Sequence, residues 1–362
     1  MAQEIINVPS KKSVRRAGEI LRADNPNSEE LKEAMDTLSE WRACYYQPIN
    51  TIKTLVNDKI KTLKIKKSIV AQRLKRTPSI VGKLKRIEKM QLDRMQDIGG
   101  VRAVVNNIEE VRKLHDAITN GHHRHEVIVP PKDYIERPKP DGYRGIHQVF
   151  KYHASQHPEL NGLLVEVQIR TALQHYWATA VETLGAIEKS AFKSGEGDER
   201  VKHFFKLSSA LFSIEEKQPV LESLSKKTPI EIVDEFEILE SELGVFDRLS
   251  AFTQAVQTLD GVKNGKTTEY YLLIMNSVSK SVSFVPFTEQ QLELATWMYK
   301  IAENDERENK NIDVVLVASK NMKELKTAYP NYFVDTNSFI EKLKQICQSI
   351  RKAHALITQI ST

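Results

Sequence analysis

Three short runs of apolar and β-branched residues constrain the fold of this chain most. They are IGGVRAVV (98–105), GIHQVFKYH (145–153) and LLVEVQIRT (163–171). Runs of this kind are typical of β-strands. Helical sequence follows the first run at 107–119 and the third at 172–189, where apolar residues recur at three-and-four spacing. The front of the chain is therefore predicted to combine a β-sheet with helices.

Helical patterns also surround this region. Residues 12–22 and 28–65 are predicted as helices, and a further helix is predicted at about 200–218. The composition then changes near LSKKTPIE (224–231). After it we predict an acidic helix (230–258), a hairpin (270–287), a helix (289–304), a strand (312–319) and two helices (321–329 and 336–357). The sequence thus predicts two domains of mixed α/β (α+β) class, at residues 1–220 and 225–362.

Charge is distributed unevenly between these two regions. Residues 1–220 contain 37 Lys and Arg against 28 Asp and Glu, whereas residues 221–362 contain 16 against 20. A basic front half suits an anionic partner such as a nucleotide or a nucleic acid, although a solvated helix face would look the same. With only two cysteines, the chain is expected to form no disulfide framework and to bind no zinc, and it fits a reducing cytoplasm. No apolar run is long enough to span a membrane.

Carboxylates stand at two informative positions in the predicted sheet. Side chains alternate between the faces of a strand, so Glu166, Gln168 and Arg170 are expected on one face and the apolar residues between them on the other. Asp97 directly precedes the neighbouring strand. Two such carboxylates could bind Mg²⁺ together with substrate phosphates. Each signal has an ordinary alternative: Asp97 as a turn residue, Glu166 as a salt-bridged strand residue, and Tyr143 as a packed aromatic.

The order of five segments resembles the alarmone synthetase domain of the RelA/SpoT family. They are RLKRTPSIVGKLKR (73–86), QDIGGVR (96–102), KPDGYRGIH (139–147), VEVQIRT (165–171) and HYWATAVE (175–182). The resemblance covers roughly residues 50–190. It implies a nucleotidyltransferase-like mixed β-sheet flanked by helices. It also implies transfer of pyrophosphate from ATP to a ribose hydroxyl, with AMP leaving. Long members begin with a hydrolase domain that this sequence lacks, so we expect synthesis without degradation.

The resemblance implies a role for each matching residue. Asp97 would ligate Mg²⁺, and Glu166 would act as a metal ligand or as a general base. The remaining roles are ATP binding by Arg73, Lys75, Ser79, Lys83 and Arg102, and acceptor binding by Lys139, Tyr143, Arg144, His147 and Gln168.

The histidines also have ordinary alternatives. His147 could equally hydrogen-bond within a core. The group His122, His123 and His125 has no cysteine or acidic residue at zinc-like spacing, so we predict a polar loop and no zinc site.

The second region resembles the tail of CapRel proteins, which are fused toxin–antitoxin members of the same family. The matching residues are Tyr329 and Tyr332 in KTAYPNYFV, together with KKSVRRAGEIL near the N-terminus. The resemblance implies a C-terminal domain like a zinc finger without its ligands, with the two tyrosines blocking the ATP site. It further implies release by a phage protein, preferably a capsid protein, and the 3′ end of tRNA as acceptor.

Two alternatives stay open. One is an alarmone synthetase that acts on GDP or GTP, and the other is a catalytically silent RNA- or ribosome-binding module. Neither DNA nor a membrane is expected as a partner.

Overall fold

The computed structural model describes residues 8–154, 156–187, 198–250, 268–276, 281–291, 294–295, 297–299, 301–302, 312–318 and 336–361. The chain divides into two compact units. The first contains Met1–Asp133 and Gly145–Thr171, and the second contains Tyr134–Arg144 and Ala172–Thr362. These compact units differ in their bounds from the two regions predicted above, whose separate functions stay a prediction.

Five helices belong to the first unit: α1 (Lys11–Arg22), α2 (Ser28–Ala43), α3 (Tyr46–Thr62), α4 (Thr77–Arg86) and α5 (Ile108–Thr119). Three of them begin at a side-chain cap of the kind that satisfies free backbone N–H groups. Ser10 caps α1, Asn27 caps α2 and Asn107 caps α5.

The helix predicted at 28–65 is wrong as a single element. It is divided at Cys44 and Tyr45 into α2 and α3. Pro48 explains the break, because proline has no N–H to donate to the carbonyl four residues earlier and is tolerated only in the first turn of a helix. The break brings Tyr45 against the start of a strand: a Cβ atom added to Gly99 would lie 2.6 Å from Tyr45 Cδ1.

The first unit contains a five-stranded sheet. Its strands are β1 (Ile69–Leu74), β2 (Gly99–Val105), β3 (Glu126–Asp133), β4 (Ile146–Lys151) and β5 (Leu164–Thr171). The spatial order is β1-β2-β5-β4-β3, with β2 and β5 parallel and every other pair antiparallel. The three predicted strands form the centre of this mixed sheet, which confirms the predicted class.

Both strands that the sequence did not reveal are edge strands. The sequence of β1 belongs to a basic segment. β3 contains Pro130 and Pro131, which argue against a strand because proline cannot donate to a ladder. The register of β3 with β4 is irregular between Ile128 and Lys132, where the prolines lie. An edge position tolerates this arrangement, since one side of the strand needs no partner.

One face of the sheet is packed and the other is polar. Helices α3 and α5 contact the sheet, and the apolar residues of the central strands, such as Val101, Val165 and Val167, are almost fully buried. His115 of α5 hydrogen-bonds Gln148 on this packed face. The alternate residues of the same strands include Arg102, His147, Glu166, Gln168 and Arg170, beside the buried Val104 and Val149. The chemistry of the first unit is therefore concentrated on the opposite face.

The second unit has its own core. Its described helices include α6 (Ala172–Ile187), α7 (Glu199–Glu215), α8 (Pro229–Leu243) and α9 (Asn337–Ser361). α9 contacts the other three helices. The core they enclose is rich in phenylalanine, with Phe204, Phe205, Phe212, Phe236 and Phe339 each at most 2% exposed.

The acidic helix predicted at 230–258 ends earlier than expected. Gly244 adopts φ 59° and donates its N–H to Glu240 O, which is the usual left-handed termination of a helix. The Glu240 side chain accepts a hydrogen bond from Phe246 N at 2.9 Å through Oε1. Its Oε2 is buried without a hydrogen-bond partner among the described residues. Burial, reinforced by Asp247, raises the pKa of Glu240 to about 7.

A separate antiparallel sheet also belongs to the second unit. Its strands are β6 (Thr268–Asn276), β7 (Ser281–Thr288) and β8 (Ile312–Ala318), in the order β7-β6-β8. The predicted hairpin and strand are thus confirmed. Tyr329, Tyr332 and the predicted helix 321–329 lie outside the described residues, and the likeness to a zinc finger stays a prediction. Within the described ranges, none of the helices is long and apolar enough to cross a bilayer.

Candidate active site

The polar face of the first unit is organised by strand register. Arg73 of β1 is paired with Gly100 of β2, and Gly100 is paired with Glu166 of β5. One step further along, Arg102 is paired with Gln168, and Gln168 with His147 of β4. Residues paired across strands point to the same side of a sheet. Five residues predicted for nucleotide or acceptor chemistry therefore share one face.

Asp97 lies two residues before β2 and is held between two lysines. Lys75 Nζ, which follows β1, lies 3.1 Å from Asp97 Oδ2, and Lys83 Nζ, on α4, lies 2.8 Å from Asp97 Oδ1. All three side chains are largely buried, with exposed fractions of 15%, 21% and 22% for Lys75, Lys83 and Asp97. The carboxylate thus compensates two ammonium groups in a partly desolvated place.

Burial acts on the charges of this cluster. Desolvation alone would raise the pKa of Asp97, but attraction by Lys75 and Lys83 and the hydrogen bond from Lys83 outweigh it, so the pKa is lowered. For Lys75, desolvation outweighs the attraction of Asp97 and lowers the pKa of the amine. A nearby anion favours the charged form of a base, so a bound phosphate would offset the desolvation of the Lys75 ammonium.

Glu166 is the centre of a hydrogen-bond chain along β5. His147 Nδ1 lies 2.9 Å from Glu166 Oε1, and Gln168 Nε2 donates to Glu166 Oε2 at 2.7 Å. Arg170 Nη2 donates in turn to Gln168 Oε1 at 2.9 Å. The arginine fixes the orientation of the Gln168 amide, because its oxygen faces the guanidinium and its nitrogen must face Glu166. The predicted alternation of these three residues is confirmed.

The environment of Glu166 stabilises its ionised form. The carboxylate is 7% exposed, and burial by itself would raise its pKa. The charge of His147 and the hydrogen bonds from His147 and Gln168 outweigh burial, and together they lower the pKa to about 2. Glu166 is therefore an anion at every physiological pH.

A cleft joins the two carboxylates. It has a volume of about 390 Å³, counting the open space at its mouth. Its lining residues are Arg73, Lys75, Asp97, Gly100, Val101, Arg102, Glu166 and Gln168. Six of these eight were predicted from the sequence as site residues. Ser79 lies in the first turn of α4, whose Pro78 occupies one of the first helical positions.

Lys132 was not predicted and lies beside this group. It is paired with His147 across β3 and β4, and its charge helps to lower the pKa of Glu166. Sequence reasoning missed it because Pro130 and Pro131 hid the strand. Alternation could have found it, since Lys132 would share a face with Glu126 and Ile128 once that strand is recognised.

Lys139 and Tyr143 belong to the second unit. Residues 139–142 form a turn in which Gly142 N donates to Lys139 O at 2.8 Å. Gly142 has φ 97°, which only glycine adopts freely. Tyr143 is 5% exposed and packs edge-to-face against Tyr134 and Trp177. Lys139 Nζ lies 4.9 Å from the centre of the Tyr143 ring. The predicted roles of both residues in acceptor binding stay predictions.

Arg144 is buried and forms hydrogen bonds with other groups of the protein. It is 3% exposed, and its guanidinium donates to Ser209 Oγ at 3.2 Å, Ile135 O at 3.3 Å and Pro219 O at 2.7 Å. Burial lowers the pKa of this arginine. Three donors directed at the protein itself connect the turn to Ser209 of α7 and to Pro219 beyond its end, so contact with an acceptor would have to use the remaining N–H groups of a buried side chain.

The histidine-rich segment is a loop, as predicted. His125 is buried and stacks on Tyr152 with ring centres 5.3 Å apart. Its Nδ1 accepts a hydrogen bond from His153 N at 3.2 Å. Burial, together with the neighbouring histidines, lowers the pKa of His125 to about 4. These contacts give the segment a packing role.

Comparison with known proteins finds similarity over the part of the chain that contains the residues lining the cleft. Residues 72–192 match the model of the region found in RelA / SpoT proteins, so the chain carries a RelA/SpoT-type region. Among curated proteins, GTP pyrophosphokinase YwaC of Bacillus subtilis is 32% identical over 112 residues, or 30% of this chain and 52% of YwaC. GTP pyrophosphokinase YjbM of the same organism is 31% identical over 117 residues, or 32% of this chain and 54% of YjbM.

The chain thus spans about half the length of these curated relatives. Among solved structures, small alarmone synthetase 1 of Bacillus subtilis bound to its product pppGpp is 24% identical with a TM-score of 0.44. The similarity covers 50% of this chain and 93% of that chain. A GTP pyrophosphokinase family protein of Streptococcus pneumoniae is 24% identical with a TM-score of 0.42, covering 50% and 89%.

Proposed function

We propose that this chain is an ATP-dependent pyrophosphokinase of the cytoplasm that modifies the ribose of a guanosine nucleotide, GDP or GTP. The observation that carries the proposal is the cleft in which Asp97 and Glu166 face several cationic side chains. The names of YwaC and YjbM, both GTP pyrophosphokinases, support a guanosine acceptor over the tRNA end suggested by the resemblance to CapRel proteins.

Binding of ATP is proposed at the Asp97 side of the cleft. Lys75 and Lys83 already hold one anion there, and the same ammonium groups suit a triphosphate. Ser79 lies in the first turn of α4, and the N-terminus of a helix favours phosphate. Arg73 and Arg102 line the cleft with planar guanidinium groups that can stack on the adenine.

The carboxylates fit a magnesium ion. Mg²⁺ binds oxygen ligands, usually one or two carboxylates plus substrate phosphates, and Asp97 and Glu166 are both ionised carboxylates lining one cleft. No cluster of three or more acidic, histidine or cysteine side chains suited to a metal occurs in the described part of the chain. The nucleotide would therefore supply the remaining ligands. When bound, the ion neutralises charge on the phosphates during transfer.

Glu166 has two proposed roles, and its pKa distinguishes them. A general base works best with a pKa near the working pH, whereas the pKa of Glu166 is about 2. The carboxylate is therefore better suited to accept a hydrogen bond from the attacking hydroxyl and to bind the metal. In the reaction, the hydroxyl oxygen bonds to the β-phosphorus, the bond to the bridging oxygen of AMP breaks, and the hydroxyl proton passes to solvent.

The sequence offers a second acceptor and a regulatory tail. The basic excess of residues 1–220 would suit an RNA backbone, and the YxxY pair, Tyr329 and Tyr332, resembles the CapRel tail. In this alternative, pyrophosphate is added to the tRNA 3′ end, the tail inhibits the enzyme, and a phage capsid protein releases it. Replacement of Tyr332 by Ala would then slow the growth of cells expressing the chain. Unchanged growth would contradict the inhibitory tail.

One transfer assay tests both acceptors. The full chain would be incubated with ATP labelled at the γ-phosphate, Mg²⁺, and either GDP, GTP or bulk tRNA. We expect label on the guanosine nucleotides and its loss in Asp97→Asn, which removes the charge between the two lysines. Label on tRNA alone would replace the proposed acceptor by the alternative. If neither the full chain nor Tyr332→Ala transfers label to any acceptor although both bind ATP, the third possibility, an RNA-binding module without activity, is supported.

A further inference from the structure

Helices α1 and α2 hold the segment that carries the phosphate-binding lysines. Lys75, Lys83 and Asp97 all lie between residues 75 and 97, which join β1 to β2. Three arginines from the helix pair reach this segment: Arg15 and Arg22 of α1, and Arg42 of α2.

Arg42 binds the start of the segment. Its Nε donates to Lys75 O at 3.0 Å, and its Nη1 donates to Thr77 Oγ1 at 3.0 Å. The other side of the same residue is also fixed, since Lys75 N donates to Ile98 O at 2.7 Å. The backbone of Lys75 is thus bound on one side by the residue after Asp97 and on the other side by Arg42.

Arg22 and Arg15 bind the rest of the segment. Arg22 Nε donates to Leu84 O at 2.9 Å, next to Lys83, and its Nη2 donates to Met90 O. Arg15 forms a bidentate pair with Asp93, at 2.8 Å and 3.3 Å, and the Asp93 side chain is only 4% exposed. Bidentate arginine–carboxylate pairs fix geometry as well as charge.

Close packing leaves little room for this arrangement to shift. A Cβ atom added to Gly18 of α1 would lie 2.8 Å from Leu92 Cβ, and Leu92 is fully buried. The helix pair therefore supports the segment through backbone contact as well as through arginine hydrogen bonds.

We propose that Arg42 is a positioning residue for ATP, acting through Lys75. The inference rests on the proposed binding of ATP phosphates by Lys75. A lysine ammonium is carried on a flexible four-carbon stem, so its position depends on how firmly its backbone is held. Without Arg42, Lys75 O loses a charge-assisted donor, and the ammonium samples positions away from Asp97 and the phosphates. In the described part of the chain, the side-chain hydrogen bonds of Arg42 go to Lys75 and Thr77 and to none of the residues predicted to bind the acceptor.

Two substitutions and a matched control test the proposal in the full chain. Arg42→Ala removes both hydrogen bonds, whereas Arg42→Lys keeps one cationic donor. The control is Arg16→Gln on α1: the Arg16 side chain is 72% exposed, and among the residues that the structure describes it pairs with Glu30 of α2, at 3.7 Å. The measurements are the KM for ATP, the KM for the acceptor, kcat, ATP binding by equilibrium dialysis, and hydrogen exchange of amides 75–86.

We expect Arg42→Ala to weaken ATP binding and raise the KM for ATP about tenfold, in keeping with the loss of hydrogen bonds to a charged group. The KM for the acceptor should stay unchanged, exchange across 75–86 should quicken, and Arg42→Lys should restore part of the loss. Arg16→Gln should behave as the unchanged chain. If Arg42 only stabilised the fold, Arg42→Ala would instead lower kcat and leave both KM values unaltered.

Hydrogen exchange of amides 75–86 tests the positioning role of Arg42 independently of enzymatic activity. If the unchanged chain transfers nothing, the proposed function fails, but faster exchange across 75–86 in Arg42→Ala with weaker ATP binding would still support the positioning role. Unchanged exchange there, or an equal rise of both KM values, would overturn it.

Discussion

Replacing Glu166 by glutamine tests the charge at the centre of the site. Glutamine keeps the shape but has only one oxygen, and the neighbours decide where that oxygen goes. Gln168 presents its nitrogen to residue 166 because Arg170 occupies its oxygen. The new oxygen must therefore face Gln168, and the new amide nitrogen must face His147 Nδ1. His147 is then forced to be neutral, with its proton on Nε2.

The magnitude follows from the pKa of Glu166. Lowering the pKa of Glu166 from the ordinary 4.5 to about 2 corresponds to about 3 kcal/mol of folding free energy at neutral pH. The pKa is depressed in the folded state, so this stabilisation is present above pH 4.5 and is lost as the pH falls toward 2. Between pH 6 and pH 3 the loss is about 2 kcal/mol.

Denaturant unfolding at pH 6 and pH 3 measures this loss. We expect the free energy of unfolding of the unchanged chain to fall by about 2 kcal/mol more than that of Glu166→Gln over this interval. Glu126→Gln is the matched control, because Glu126 is an exposed carboxylate of the same sheet, paired with Lys151, and should leave the pH dependence nearly unaltered. Pyrophosphate transfer should fall about 100-fold in Glu166→Gln, because the attacking hydroxyl loses a charged hydrogen-bond acceptor and the metal loses a ligand. If the free energy of unfolding depended on pH equally in the unchanged chain and in Glu166→Gln, the conclusion that Glu166 is ionised and stabilises the fold would be refuted.

Three further predictions concern the support of the site and the second unit. Gly99→Ala should destabilise the first unit by about 2 kcal/mol, because the new methyl group would overlap Tyr45 and Ile49; a thermal melt checks this. Arg144→Ala should cost about 3 kcal/mol, since two buried carbonyls lose their donor; unfolding of the variant beside Arg144→Lys measures it, and a neutral result would show that the guanidinium is free for an acceptor. Glu240→Gln should stabilise the chain above pH 7 by about 1 kcal/mol after allowance for solvent screening, because the folded-state pKa of about 7 makes ionisation costly there, and the gain should vanish below pH 4.5.

Alternation along strands was the most informative part of the sequence. It placed Glu166, Gln168 and Arg170 on one face from VEVQIRT alone, and the structure confirms it. The position of Asp97 before β2 was equally accessible, because a residue preceding a central strand lies at its end. The partner lysines of Asp97 were identified by motif resemblance and not by any local pattern.

Other features depend on contacts that sequence patterns do not encode. Because of Pro130 and Pro131, β3 was not predicted as a strand, and Lys132 was therefore not placed in the sheet. The rule against proline in strands applies poorly to edge strands. Pro48 was overlooked as the cause of the break between α2 and α3. The buried bonds of Arg144 arise from Ser209 and Pro219, more than 60 residues away, which no local spacing reveals.

The position of Asp97 between Lys75 and Lys83 has a consequence for the form in which a nucleotide arrives. The side chains that line the cleft, together with Lys83, carry four positive charges against two carboxylates, an excess of two; Lys132 lies outside this lining, paired with His147. Free ATP carries about four negative charges and its magnesium complex about two. The complex would leave the cleft electrically neutral, whereas the free nucleotide would leave it anionic. The cleft is thus matched in charge to a nucleotide that brings its metal with it.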